Sequence, residues 1–312
     1  MVLSKIGANN FPFTYFKNHY KKLVIMLKYI KMLRPQHYVK NFFIYAPLFF
    51  SFTFNKSNFV SNTIAFLLFS LTASSIYILN DITDIEQDKK HPEKKNRPLA
   101  NGSVSISLAI FLMIMLALFS FVISYLYNHK LFTILLIYFG LNIAYSLKLK
   151  HISLVDIFII AIGFVLRLFA GAYVIQTYLS PWLIIMTFLL ALFLAIAKRR
   201  DDVLLSLQGK ETRKNINGYN FEFVNAVMVF MSGVIVVAYI LYTISNEVTS
   251  RLGTDLLFLT TAFVILGIFR YMQISFVEQN SGSPIKIVFK DRFLQLTILF
   301  WLLSFFIIVK VL

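Results

Sequence analysis

Cysteine is absent from all 312 residues. Disulfides, thiolate metal sites and cysteine nucleophiles are therefore excluded, and the redox compartment is left unmarked. Charge is scarce as well: 14% of residues are Asp, Glu, Lys or Arg, where a soluble domain carries about 25%. Acid is the scarcer sign, with 14 Asp and Glu against 30 Lys and Arg, for a formal net charge of +16. The stretch from Met1 to Tyr20 has no clean apolar core and no small-residue cleavage site, so it does not read as a signal peptide. Internal repeats, low-complexity tracts and loops long enough for a separate soluble domain are also missing.

What fills the sequence is apolar. Hydrophobic residues make up 58%, with 34 Phe among them, against about 45–50% in a soluble domain. One globular core cannot take up that surface, so lipid must solvate part of it. A membrane helix needs about 20 mostly apolar residues. Runs of that kind lie near 40–57, 61–79, 104–127, 131–147, 154–175, 181–197, 223–245, 254–275 and 293–312. They predict an all-α integral membrane bundle of about nine helices, in which residues 40–312 form the transmembrane catalytic domain. Residues 1–39 form an interfacial segment, and Tyr15 to Lys40 reads as an amphipathic helix on the membrane surface.

The basic residues set the orientation. With the N-terminus inside, 25 of the 30 fall in inside segments, against Lys56, Lys130, Arg251 and Lys310 outside and Arg167 within a span. The positive-inside rule then gives a cytoplasmic N-terminus and an outside C-terminus. The net charge follows from this topology and from anionic lipid headgroups or a polyanionic substrate. The interleaved spans argue against nucleic acid as a partner.

Chemistry concentrates where the second span leaves the membrane, in Asn80-Asp81-Ile82-Thr83-Asp84-Ile85-Glu86-Gln87-Asp88. Asn80, Asp84 and Asp88 stand four apart and share one face of a helix. With Asp81 beside them, three clustered oxygen ligands repel unless a cation sits between, and this donor type suits Mg²⁺ with phosphate oxygens completing its shell. A solvated acidic loop accounts for the charge but not for the register or for the position at a membrane boundary. The loop from Lys89 to Gly102 that follows is basic, and Arg97, fixed before Pro98, is its best phosphate contact. Lys89, Lys90, Lys94 and Lys95 read as ordinary inside-loop charges.

Two further inside segments converge on the same membrane side. One runs from Tyr145 through Lys150 and His151 to Asp156, with Arg167 eleven residues on. An unpaired charge there costs about 3 kcal/mol on insertion scales, so Asp156 and Arg167 should face the bundle interior. A separation of about 16 Å along the helix points to separate partners. The other is Lys198-Arg199-Arg200-Asp201-Asp202, followed by Arg213, Lys214 and Tyr219.

Asn80-Asp81-x-x-Asp84-x-x-x-Asp88 at the end of the second of nine spans resembles the first aspartate-rich motif of the UbiA prenyltransferase superfamily. Finer features resemble its decaprenyl-phosphate phosphoribosyltransferase branch. These are Arg34-Pro35-Gln36-His37-Tyr38-Val39-Lys40-Asn41, the His91-Pro92 and Arg97-Pro98 pairs after Asp88, Tyr145-Ser146 with Lys150 and Asp156, and Lys198-Arg199 with Arg213, Lys214 and Tyr219. In members acting on aromatic acceptors, a second set of spaced aspartates follows the sixth span. Lys198 to Asp202 stands in its place without that spacing, which weakens the aromatic reading.

The resemblance implies a Mg²⁺-dependent membrane transferase of cell-envelope biosynthesis, multi-pass in the inner (plasma) membrane with its site facing the cytoplasm. Phosphoribosyl pyrophosphate would bind with its diphosphate on Mg²⁺ held by Asp81, Asp84 and Asp88. The implied substrate contacts are Lys40, Asn80, Arg97, Tyr145, Lys150, Asp156, Arg167, Lys198, Arg199 and Tyr219. A polyprenyl phosphate would attack ribose C1. The alternatives are a polyprenyl diphosphate joined to an aromatic or lipid acceptor and, from a different class, a transporter or membrane scaffold. A transporter should carry charged or broken helices in paired halves, whereas Asp156 and Arg167 lie in one span.

Overall fold

A computed structural model describes residues 28–90, 94–209, 218–279 and 281–311. Among these, eight helices are long and apolar enough to cross a membrane: α1 Lys56–Thr83, α2 Ile106–Tyr127, α3 His129–Leu147, α4 Val155–Val174, α5 Pro181–Leu207, α6 Phe221–Ile244, α7 Leu256–Phe276 and α8 Arg292–Lys310. Side-chain caps fix several of their starts. Asn55 accepts from the Asn58 N–H, Asn128 from Leu131, Asn220 from Phe223 and Asp291 from Leu294, each satisfying an N–H that the first turn leaves without a partner. Residues 1–27 lie outside the described residues, and with them most of the expected amphipathic helix; 28–33 are helical. His91, Pro92, Arg213 and Lys214 lie outside them too.

The outer surface is that of a membrane protein. On α2 the side chains of Phe111, Met115, Leu118, Phe119 and Val122 are exposed, while small residues, Ala109, Ala117, Ser120 and Ser124, are buried. Small residues let helix backbones approach where lipid removes the hydrophobic drive to associate. Thr72 of α1 and Ser120 of α2 hydrogen-bond across that contact at 2.8 Å.

The expected first span, 40–57, takes a different form. Pro35–Tyr45 is a 3-10 helix and Ala46–Phe50 a short α-helix, neither long enough to count with the eight. Two causes are visible. Pro35 and Pro47 withhold N–H groups, and the run between them is rich in aromatic and β-branched residues with weak α-propensity. We call 35–50 the lead segment; the sequence-based boundary at 39/40 falls inside it. It runs antiparallel to α1: Tyr38 bonds Ser74 at 2.8 Å, Asn41 bonds Ser70 at 2.8 Å and Tyr45 bonds Thr63 at 2.9 Å. A 3-10 helix rises about 2.0 Å per residue against about 1.5 Å for an α-helix, so this short segment covers about 30 Å. It begins beside the end of α1 and ends where Phe52 stacks on Phe305 of α8.

Left-handed residues bound the lead segment, Arg34 at φ 52° and Phe52 at φ 54°. Such non-glycine conformations cost about 1–3 kcal/mol and persist where surrounding contacts over-determine them. Midway, the segment touches α4 at Gly171, where a Cβ would collide with the Ile44 carbonyl oxygen. Assigned with its nitrogen toward the two carbonyls, Asn62 donates to Ile44 O and Gly171 O, both at 3.1 Å.

Arg167 pins the same region from α4. Its Nε donates to Asn41 Oδ1 at 2.8 Å, Nη1 to Gly163 O at 2.5 Å and Nη2 to the Tyr138 hydroxyl at 3.3 Å. Its guanidinium lies 4.7 Å from the Phe69 ring centroid and 5.2 and 5.3 Å from those of Tyr138 and Phe164.

Gly171→Ala should push the lead segment off α4 and destabilise the bundle by about 1–3 kcal/mol, the usual cost of overpacking. Gly140→Ala, on α3 where an added Cβ meets nothing within 4 Å, should be neutral or gain up to about 1 kcal/mol. Melting of the two variants in detergent distinguishes the effects.

Candidate active site

The C-terminal ends of α1, α3 and α5 and the N-terminal ends of α4 and α6 meet at one end of the bundle, with the start of the lead segment. The helix breaks at Asp84 and a short helix, Ile85–Lys90, follows, though bonds four apart bridge the break: Asp84 N donates to Asn80 O at 3.0 Å and Asp88 N to Asp84 O at 2.8 Å. Asp81 and Asp88 are buried and Asp84 half-buried.

Each of these carboxylates meets a cation from another part of the chain. Asp81 pairs with Arg34 from the start of the lead segment and, at 3.0 Å, with Arg97; the same Nη1 of Arg97 reaches Asp88 at 2.5 Å. Asp84 pairs with Lys150 at 2.5 Å. Among the described residues no group of three carboxylate or imidazole side chains stands together as a metal cluster; each aspartate is paired with a cation. The donor set still fits a hard divalent ion in kind. Asp81 and Asp88 share one positively charged nitrogen between them, and carboxylate oxygens are what Mg²⁺ takes.

Across the mouth, a second network fixes α4, α5 and α6. Asp156, 0% exposed in the first turn of α4, accepts from Arg199 Nε at 2.7 Å and from the Tyr219 hydroxyl at 2.7 Å. The Tyr219 oxygen accepts in turn from the Leu154 N–H at 2.8 Å, and Leu154 is held at φ 69°. Burial, then the bond to Asp156, pushes the Tyr219 phenol above its usual range. A Cβ at Gly218 beside it would strike the Ser153 side chain.

Lys198 to Asp202, expected as a loop, lies inside α5, which continues to Leu207. Helical periodicity therefore splits the cluster. Arg199 turns to Asp156 and Asp202, whereas Arg200 turns the other way, to Asn225 at 2.8 Å and Ser275 O at 2.5 Å between the rings of Phe221 and Phe276. Tyr145 is half-buried in the last turn of α3. Arg167 is not brought to the mouth; it sits about 18 Å along α4 from Val155, on the partners described above.

Two residues outside the predicted site set belong to it by position. Arg34 pairs with Asp81, and His37 packs on Tyr77 at 5.3 Å. Burial, then Lys40, Arg34, Lys198 and Arg97, lowers the His37 imidazolium to about 3, and its Nδ1 is buried without a hydrogen-bond partner. Their signal in the sequence was the Arg-Pro-Gln-His run.

Beside the mouth a largely apolar cavity of about 1150 Å³ lies between the lead segment and α5 to α8, lined among others by Val39, Phe43, Leu194, Tyr271 and Trp301.

The sequence profile of the UbiA prenyltransferase family matches residues 43–205. A decaprenyl-phosphate phosphoribosyltransferase of Mycolicibacterium smegmatis is 31% identical over 88% of this chain and 89% of its own length. The chain belongs to the UbiA prenyltransferase family. A second decaprenyl-phosphate phosphoribosyltransferase, from Corynebacterium glutamicum, is 29% identical over 87% of this chain and 83% of its own. The solved structure of a UbiA homolog from Archaeoglobus fulgidus bound to DMAPP and Mg²⁺ superposes with a TM-score of 0.66 and 17% identity, over 91% of this chain and all of that one. At that identity the likeness is one of fold. It is the UbiA fold, and the chain is a multi-pass membrane transferase.

Asp156→Asn should cost about 3–5 kcal/mol, because it leaves the Arg199 guanidinium, 1% exposed, without its buried counter-charge. Asp202→Asn, at the less buried side of the same arginine, should cost less, because Asp156 still pairs with the guanidinium. Thermal melts and chymotrypsin sensitivity of the two variants provide the comparison.

Proposed function

We propose that this chain transfers 5-phosphoribose from phosphoribosyl pyrophosphate to a polyprenyl phosphate, releasing diphosphate, at a cytoplasmic mouth in the inner (plasma) membrane. The observation that carries the reading is the apolar cavity of about 1150 Å³ beside a mouth of carboxylates and cations. A long lipid tail needs the first and two phosphorylated substrates need the second. The two phosphoribosyltransferases similar along most of the chain support the same donor and acceptor.

Asp81, Asp84 and Asp88 would hold Mg²⁺, whose chemistry is to neutralise charge on the departing diphosphate. Binding of a diphosphate gives Arg97 and Lys150 a second anion to serve. These two, released in part from the aspartates, orient the donor and stabilise the charge that develops as the C1–O bond breaks. The acceptor's phosphate oxygen forms the new bond to ribose C1, and the electron pair of the old one leaves with diphosphate. A phosphate dianion is already a nucleophile, so no proton has to be removed. That suits a mouth whose imidazole, His37, is held near pKa 3 and is a poor base. Asp156, Arg199 and Tyr219 keep α4, α5 and α6 in place around the reacting groups, and the tail lies along the cavity.

Purified protein, Mg²⁺, labelled phosphoribosyl pyrophosphate and a polyprenyl phosphate should yield a lipid-linked phosphoribose with equimolar diphosphate. Asp84→Asn and EDTA should each lower the rate at least about 100-fold, in line with losing an electrostatic stabiliser of the transition state. Turnover confined to a polyprenyl diphosphate with an aromatic acceptor would reverse the assignment of donor and acceptor.

A further inference from the structure

The apolar cavity lies beside the mouth, and the sequence puts a lysine just beyond its lining on each of two walls. On the lead segment, 3-10 geometry repeats every three residues and eclipses i with i+3. Tyr38, Asn41 and Ile44 therefore form the row that faces α1 and α4. His37, Lys40 and Phe43 form another. Its upper member stands at the mouth and its lower member lines the cavity, so Lys40 lies between the two.

The α5 wall follows α-helical spacing instead. Met186, Leu190 and Leu194 all line the cavity and are four apart, and the next residue of that stripe is Lys198. Both lysines are half-buried, and both act electrostatically on the same imidazole, His37. Two walls with different periodicities thus each bring a lysine within electrostatic reach of the same imidazole.

Arg34, Arg97 and Lys150 are placed differently, on the carboxylates of α1. The cations of the mouth fall into two groups, one around the aspartates and one next to the residues that line the cavity.

We infer that Lys40 and Lys198 form the subsite for the phosphate of the polyprenyl acceptor, distinct from the diphosphate subsite at Asp81, Asp84, Asp88, Arg97 and Lys150. This rests on the phosphoribosyl-transfer reading and assigns its second substrate a place. An amphiphile with an apolar tail and a dianionic head stops where the cavity ends and cations begin. Lysine suits a phosphomonoester whose tail direction is fixed by the cavity, because it acts as a point charge and needs no particular rotation of the phosphate, while arginine's planar fork matches carboxylates. His37, neutral between the groups, separates them without adding charge.

The test uses the full chain in detergent. Without Mg²⁺ or phosphoribosyl pyrophosphate, a polyprenyl phosphate should bind at least about tenfold more tightly than the matching uncharged polyprenol, the worth of one or two charge-assisted hydrogen bonds. Lys40→Met and Lys198→Met should each erase most of that preference while leaving polyprenol binding intact, which also shows that the variants are folded. Lys→Arg at either position should restore it in part. In the transfer assay the Met variants should raise KM for the lipid about tenfold and leave KM for phosphoribosyl pyrophosphate within twofold.

Equal binding of phosphate and alcohol by the wild-type chain, or a KM change confined to the sugar donor, would overturn the subsite. Head-group-selective binding lost in the Met variants, without any phosphoribosyl transfer by the wild type, would sustain the subsite and remove the donor assignment. Transfer untouched by either Met substitution would do the reverse.

Discussion

Asp81 is the charge on which the mouth depends. It is buried at the end of α1, where a lone carboxylate would be expelled from the interior or neutralised, and two guanidiniums pair with it. Arg34 comes from before the first crossing and Arg97 from the loop after α1, so one side chain draws three stretches of backbone together. Arg97 extends the pairing to Asp88, and Lys150 brings the α3–α4 connection to Asp84. Buried ion pairs contribute little net stability, but losing one member is costly. The arrangement therefore fixes geometry more than it stabilises the fold. It also stores, around an acidic floor, the positive groups that a diphosphate requires.

The other buried arginines solve a different problem. Arg167 and Arg200 rest on aromatic rings and backbone carbonyls. A guanidinium is weakly hydrated and stacks on aromatic faces, which lets a 17% aromatic sequence carry cations inside a membrane bundle. Arg199 and Arg200 are neighbours in sequence and opposite in role. One is directed at the mouth through Asp156, and the other locks α5 to α6 and α7.

Much of this was legible in the residues. Eight of the nine apolar runs gave helices, seven of them within about five positions at each end, and the acidic segment is helical, with Asp81 and Asp88 meeting one arginine and Asp84 a separate lysine. Two things were not legible. Polar residues past position 197 marked the end of a span by composition, yet the helix continues, since hydrogen bonding along a helix is indifferent to where apolar solvent stops. The run 40–57 carried apolar content but no period that separates a 3-10 from an α-helix, and its form follows from partners on α1 and α4 that no local pattern specifies. The aspartates' present partners were equally hidden. Arg34 lies 47 residues from Asp81 and Lys150 lies 66 from Asp84, and the fold alone brings them together.

The three-residue repeat of the lead segment carries a consequence for how this part of the chain can vary. One inserted or deleted residue between Lys40 and Ile44 would turn everything beyond it by about 120°, so that the side chain meant for α1 would face the cavity and the cavity wall would face α4. In an α-helix the same change is partly absorbed by neighbouring positions on a broad face. Here Tyr38, Asn41 and Ile44 each meet a specific partner on α1 or α4, so length in this stretch is constrained more tightly than composition.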